Sequence, residues 1–277
     1  MFFEVVTDTI GDVLKILPFL FVTYVLLEWL EQKTEHRFQR ILEKQQKLEP
    51  LFGALLGLFP SCGLSGAAGT LFATGMIQAG TLAAVYLSTS DEMLAIMISS
   101  KAAPGMYLPI LGVKFAVAAC AGYLASLFMK RRPADIATFC EREHDDHRHG
   151  VLYSALTHTL QITVWLLAIT FLFNFIVELI GVDHLRDFIG SHANSSVLVS
   201  TMAGMIPSCA SSILLTRMYM DGMISFAAVT AGLLANAGTG MMVLFRVNPD
   251  HRENLKILGY VWVVSLVSGY LLQLILG

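Results

Sequence analysis

Eight apolar runs of about 20 residues, each long enough to cross a bilayer as a helix, divide this chain of 277 residues. They fall near 14–30, 51–73, 76–98, 105–129, 152–180, 197–220, 222–245 and 257–276. Polar connections separate them. The longest are 31–49 (EQKTEHRFQRILEKQQKLE) and 130–149 (KRRPADIATFCEREHDDHRH), with a shorter one at 246–256 (RVNPDHRENLK), and all three read as solvated. Within 31–49 the apolar residues are Phe38, Ile41, Leu42 and Leu48, spaced for one face of an amphipathic helix on the inner membrane surface.

The apolar runs repeat. Shifting the chain by 147 residues superposes LFPSCGLS on MIPSCASS, TGMI on DGMI, and ILG and GYL on their counterparts, without a gap. Residues 51–124 and 198–271 share 19 identities in 74 positions at that one offset. Scattered Leu and Val matches arise from apolar composition alone, but Pro-Ser-Cys, Gly-Met-Ile and Gly-Tyr-Leu in a single register do not. The division is therefore 1–129 as a first transmembrane repeat, 130–150 as a charged, His-containing cytoplasmic linker, and 151–277 as a second repeat.

Topology turns on whether 51–73 and 197–220 each span once or fold back. Single spans put the loops 31–49 and 130–149 on opposite faces and split the loop Lys and Arg ten against five at best. Re-entrant hairpins put 13 loop Lys and Arg inside (31–49, 130–149 and 246–256) and leave Lys101 and Arg186 outside, as the positive-inside rule prefers. The pieces 51–59 and 63–73 are also only about 15 Å long at helical rise, which reaches the midplane and no further. The expected fold is all-α and polytopic, with two inverted-topology repeats of three full spans plus one re-entrant helical hairpin each. Both termini then face outside.

Composition narrows the class. The chain is 55% hydrophobic and 14% charged, against about 25% charged for a soluble domain, which excludes disorder, secreted disulfide scaffolds and nucleic-acid binding. The four cysteines are too few and scattered for a disulfide framework. The opening MFFEVVTDTIGD has no basic n-region, so its first hydrophobic segment is expected to be retained.

Candidate chemistry gathers where helices are expected to break. Pro60-Ser61-Cys62 and Pro207-Ser208-Cys209 each pair a helix-breaking proline with a hydroxyl suited to capping the next half-helix. Each would present a helix N-terminus to the midplane, where it lowers a neighbouring thiol's pKa and makes Cys62 and Cys209 candidate thiolate ligands. Prolines that only shape the hairpins, with cysteines that only pack, are the plainer reading; recurrence in register favours use. Asp91 and Glu92 are the only charges between 51 and 100, and intramembrane carboxylates are costly enough to be functional candidates. The preceding Ser88, Thr89 and Ser90 suggest local unwinding. At the same register in the second half stand Asn236 and Thr239, within NAGTG, so both third spans read as broken and the two breaks as chemically unlike. A polar knot within the bundle is the alternative. The substrate set is thus Ser61, Cys62, Ser90, Asp91, Glu92, Ser208, Cys209, Asn236 and Thr239.

Other residues weigh less. His158 and Gln161 are candidates for a proton path, against ordinary interhelical hydrogen bonds. His144, His147 and His149, with Asp145 and Asp146, compose a weak metal candidate in what reads as a solvated tether. Arg217 and Asp221, four apart, read as structural. Lys114 has no evident partner and either snorkels or lines a cavity. Cys120 and the Met-rich GTGMM read as packing.

The motifs FPSCG and IPSCASS, the STSDEM span and the His-containing linker together resemble a bacterial family of ten-segment heavy-metal exporters, also described as manganese transporters or arsenic efflux proteins and distantly similar to organoarsenical permeases. The resemblance covers essentially the whole chain. It implies ten segments, the number obtained here when each half-helix counts once, and substrate-site positions at Pro60, Ser61, Cys62, Asp91, Glu92, Pro207, Ser208 and Cys209.

The function expected is alternating-access export of a metal ion, with carboxylates as hard ligands and cysteines adding softness, a mixture suited to Mn(II) or a later transition metal over Mg(II). No GxxxxGK motif occurs, so the chain supplies no ATP hydrolysis. No permanently bound cofactor is expected; the metal ion or metalloid is cargo, and carboxylates protonated on its release would couple transport to protons. Export of a trivalent arsenical through Cys62 and Cys209 is the runner-up, and an intramembrane enzyme using Cys62 or Ser61 as nucleophile a distant third. The expected partners are the bilayer and the cargo, with no nucleic acid, and the expected location is the bacterial inner membrane.

Overall fold

The computed structural model describes residues 48–59, 62–129 and 196–276, with single helical positions between 6 and 25 and between 156 and 175. The side chains of Cys62, Asp91, Glu92 and Cys209 lie outside that description, as do residues 31–47 and 130–149 of the two long polar connections. Among the described residues every regular element is a helix: α1 Glu49–Gly57, α2 Cys62–Ala73, α3 Ala79–Ser88, α4 Asp91–Ser99, α5 Pro104–Phe128, α6 Ser196–Gly204, α7 Cys209–Met220, α8 Phe226–Ala235, α9 Gly240–Val247 and α10 His251–Leu276. The helices starting at 49, 62, 79 and 104 have counterparts starting at 196, 209, 226 and 251, each 147 residues later.

Local chemistry explains the boundaries. Pro50 and Pro104 sit in the first turns of α1 and α5, where a missing N–H costs nothing. The repeated Gly-Met-Ile ends α2 and α7 in one way. Gly75 (φ 74°) and Gly222 (φ 72°) take the left-handed conformation that glycine adopts without a Cβ clash, and the amides of Met76 and Met223 reach back to the carbonyls of Leu71 and Met218 at 2.9 and 2.8 Å. The last span begins six residues earlier than its apolar run, so the polar segment 246–256 is not a simple solvated loop. The Asp250 carboxylate accepts from the amides of Arg252 and Glu253 at 3.1 and 3.2 Å and nucleates the first turn. Asn248 and Asn254 are buried and hydrogen-bonded to each other at 2.6 Å.

Both third spans are interrupted, at Thr89–Ser90 and at Asn236–Thr239. These broken helices form the centre: every residue of α3 is buried, and all of α8 but Phe226. The uninterrupted α5 and α10 lie outside them, with Leu127, Phe128, Leu274 and Ile275 exposed. Four described stretches are long and apolar enough to cross a membrane: Ala79–Ser99, Pro104–Phe128, Phe226–Val247 and His251–Leu276. Centres with breaks and rims without them suit a bilayer, where non-helical backbone has to be shielded from lipid. The protein is a multi-pass membrane protein.

Glycines set the closest approaches, and these correspond across the halves. A Cβ at Gly122 would meet the Ala84 side chain at 2.8 Å and the Gly80 carbonyl at 2.9 Å; one at Gly269 would meet Ala231 at 2.5 Å and the Ala227 carbonyl at 3.7 Å. So α5 crosses α3 as α10 crosses α8. Beside them α1 lies along α3, with Gly53 against Thr81 and Gly57 against Val85 and Ser88, an order that makes the two parallel. The Gln78 amide donates to Glu49 Oε1 at 3.0 Å, joining the beginnings of α1 and α3. Across the halves α2 packs on α9, α7 on α4, and α3 on α8.

Candidate functional site

At both breaks side chains hydrogen-bond to the neighbouring backbone. At the end of α3, the hydroxyls of Ser88 and Thr89 donate to the carbonyls of Ala84 and Val85 at 2.8 and 2.7 Å, and Ser90, itself buried, donates to the Ser88 carbonyl at 3.0 Å. The backbone then re-enters a helix at Asp91 and Glu92, which open α4. A helix N-terminus favours negative charge at those positions. In the second break Asn236 accepts from the Gly238 amide at 2.8 Å and donates from Nδ2 to Ser211 Oγ at 3.2 Å. Gly238, at φ 57°, turns the chain there.

The starts of α2 and α7 both come to the second break. Ser211, two residues beyond Cys209, touches Asn236 directly. Ser65, one turn beyond Cys62 in α2, lies so close to Gly240 that a Cβ on that glycine would stand 2.6 Å from the Ser65 carbonyl carbon. The starts of α2 and α7 therefore stand level with Asn236–Gly240. Ser208, directly before α7, is fully buried and its carbonyl accepts from Ser211 Oγ at 2.8 Å; Pro207 is half-buried beside it. Thr239, just before α9, is buried, and its hydroxyl has no hydrogen-bond partner among the described residues. A buried hydroxyl in that state costs about 1 to 3 kcal/mol, and Thr81, Ser200 and Thr230 share it among the described residues.

Among the substrate positions read from the sequence, Ser90 is buried in the first break, Asn236 and Thr239 in the second and Ser208 directly before α7, while Cys62 and Cys209 open α2 and α7 and Asp91 and Glu92 open α4. Pro60, Ser61, His158, Gln161, His144, His147 and His149 lie outside the described residues. Among the described residues no group of three or more His, Cys, Asp or Glu is placed to hold a metal ion. Arg217 and Asp221 are exposed at the end of α7.

Lys114, expected without an evident partner and either snorkelling or lining a cavity, does not snorkel: it is fully buried, and its ammonium donates to the carbonyls of Thr89 and of Leu233. Its signal in the sequence was being the sole Lys or Arg of its span. Tyr86 donates to the Gly240 carbonyl at 2.9 Å, tying α3 to α9 across the halves, and Ser211 ties α7 to Asn236; nothing in the local sequence marks either. Cys120, read as packing, is exposed on α5 instead. Tyr86→Phe, which keeps the ring and removes the tie, is expected to cost about 1 kcal/mol and to lower the melting temperature of the purified protein by about 2 to 4 °C.

A family model described as "Putative, 10TM heavy-metal exporter" matches residues 1–170 and 146–276. The chain belongs to that family. Membership places it among membrane transporters of heavy-metal ions, in agreement with its apolar helices. Neither a curated protein nor a solved structure matches the chain.

Proposed function

We propose that this family member is an alternating-access secondary transporter that exports a divalent transition metal, Mn(II) in the first place, through a site between its two Pro-Ser-Cys hairpins. The observation that carries the reading is the exchange between halves: the second hairpin arm of each half packs on the post-break helix of the other, α2 on α9 and α7 on α4. Cargo held at the breaks would then be held by both halves at once, and a rocking of one against the other would open the site to alternate sides.

The helix directions support an inverted repeat. Since α1 is parallel to α3 and Gln78 returns to Glu49, the intervening α2 runs against α3, so that 49–78 doubles back. Ser65 faces Gly240 and Gly69 faces Leu244, so α2 is parallel to α9. The broken span α8–α9 then runs opposite to α3–α4. With the basic loops inside, both termini face outward and the hairpins enter from opposite leaflets, meeting near the midplane.

In this reading Asp91 and Glu92 are the hard ligands, Cys62 and Cys209 the softer ones, and Ser61, Ser90, Ser208, Asn236 and Thr239 supply oxygens. Carboxylates that take up protons when the metal leaves would couple export to proton entry. The two cysteines in register favour a second reading, export of a trivalent arsenical, in which thiolates make the decisive bonds. Calorimetric titration of the purified protein with Mn(II), Zn(II), Mg(II) and a trivalent arsenical separates them. With Cys62→Ser/Cys209→Ser, Mn(II) binding is expected to weaken by about tenfold or less while remaining measurable. Arsenical binding by the wild type that vanishes in this variant, with no Mn(II) binding in either, would replace the first reading by the second.

A further inference from the structure

Lys114 is ten residues into α5 and has no exposed surface. Its ammonium donates to two backbone carbonyls from different halves: Thr89, the residue that follows α3, and Leu233, 2.9 Å away in the last turn of α8. The last carbonyls of a helix have no amide of their own helix to accept from, and in hydrocarbon surroundings no bulk water replaces it. Each such end also carries about half a negative charge. Two ends converging on one point amount to about one negative charge, the complement of a single ammonium. The counterpart of Lys114 in the second half is Val261, so one cation serves both broken helices and no symmetry-related one exists.

We propose that Lys114 is a resident cation of the transport pathway, a positioning residue that fills from within the chain the place between half-helix C-termini where carriers built from broken helices bind a soluble coupling ion. Metal export accordingly requires an ammonium at this point and no Na⁺ or K⁺ from solution. The inference rests on the metal-transport reading for its flux measurement, and on the two carbonyls alone for its stability measurement.

The test uses full-length protein in liposomes, with Mn(II) flux and melting temperature as separate readouts. Lys114→Ala and Lys114→Met are both expected to lose about tenfold or more of the flux, because a charged hydrogen-bond donor to two carbonyls is removed. Propylammonium supplies the atoms that alanine lacks. It is expected to restore flux and raise the melting temperature of Lys114→Ala, and to do neither for Lys114→Met, whose side chain fills the space. Propanol and tetramethylammonium, the first uncharged and the second without an N–H, are expected to restore nothing. Wild-type flux should be unchanged when Na⁺ and K⁺ are replaced by N-methylglucamine. Lys114→Met at the wild-type rate, wild-type flux that falls without Na⁺ and K⁺, or propylammonium no better than propanol on Lys114→Ala would each overturn the proposal. If Lys114→Ala yields no folded protein, the same amine and alcohol are compared for recovery of a melting transition, and equal effects overturn it. Absence of Mn(II) flux in the wild type would instead refute the metal reading, leaving Lys114 to be judged by the melting temperatures.

Discussion

The paired substitution Asp91→Asn and Glu92→Gln is expected to weaken Mn(II) binding by more than about 100-fold, since loss of partners even outside the first coordination shell costs about 10- to 100-fold in metal affinity. These two residues open α4 immediately after the break at Thr89–Ser90, and they are the only acidic residues between 51 and 100. The other break offers only neutral donors, an amide from Asn236 and a hydroxyl from Thr239. Of the two breaks, only the first therefore offers a dication carboxylate oxygen. Asn and Gln keep size and hydrogen bonding, so the melting temperature without metal is expected to stay within a few degrees of the wild type, which separates loss of ligands from loss of fold. Calorimetry checks the outcome, with the single variants run beside the double. Retention of wild-type Mn(II) affinity by the double variant would remove both carboxylates from the site.

How much of this was written in the sequence differs from residue to residue. The Gly-Met-Ile repeat was legible as a duplicated feature, and its cause is now plain: a glycine takes the left-handed turn that ends α2 and α7 without a Cβ clash, and the next amide closes it. The breaks were legible for a similar reason, because Ser88, Thr89 and Asn236 hold backbone partners of their own and thereby compete with the helix. The start of α10 was not legible from hydropathy, since its first turn is polar and is held by the Asp250 carboxylate and by the buried Asn248–Asn254 pair. Least legible were the long-range ties. Lys114 to Leu233 and Tyr86 to Gly240 join residues 119 and 154 positions apart, and a carbonyl acceptor leaves no mark on residue type. The likeness of the halves also misleads at this point, because it predicts equivalent partners, whereas Lys114 stands against Val261 and serves both halves alone.

Gly204→Ala is expected to have the largest effect on stability of any single-methyl addition considered. Gly204 ends α6, and its Cα presses on the backbone of Gly232 in the broken helix α8: an added Cβ would stand 2.8 Å from the Gly232 carbonyl carbon, 3.1 Å from its Cα, and nearer still to the carbonyl oxygen. The obstacle is main chain in a fully packed helix, not the end of a flexible side chain, so relief requires α6 and α8 to part. Overpacking in a well-packed interior costs about 1 to 3 kcal/mol even where side chains can give way, and here a cost at or above the upper end of that range outweighs the 0.5 to 1 kcal/mol, roughly, that alanine gains over glycine within a helix. Gly57, the counterpart 147 residues earlier, meets the Val85 carbonyl at 2.6 Å and should respond in the same direction. Gly259 supplies the control, since a Cβ there meets nothing within 4 Å, and Gly259→Ala is expected to leave the melting temperature unchanged or slightly raised. Separation of α6 from α8 would also slacken the span that holds Asn236 and the Leu233 carbonyl, so the Gly204→Ala protein that does fold is expected to bind Mn(II) more weakly. Melting temperatures of the three variants decide the matter: equal stability of Gly204→Ala and Gly259→Ala would mean that α6 does not bear on the broken helix α8.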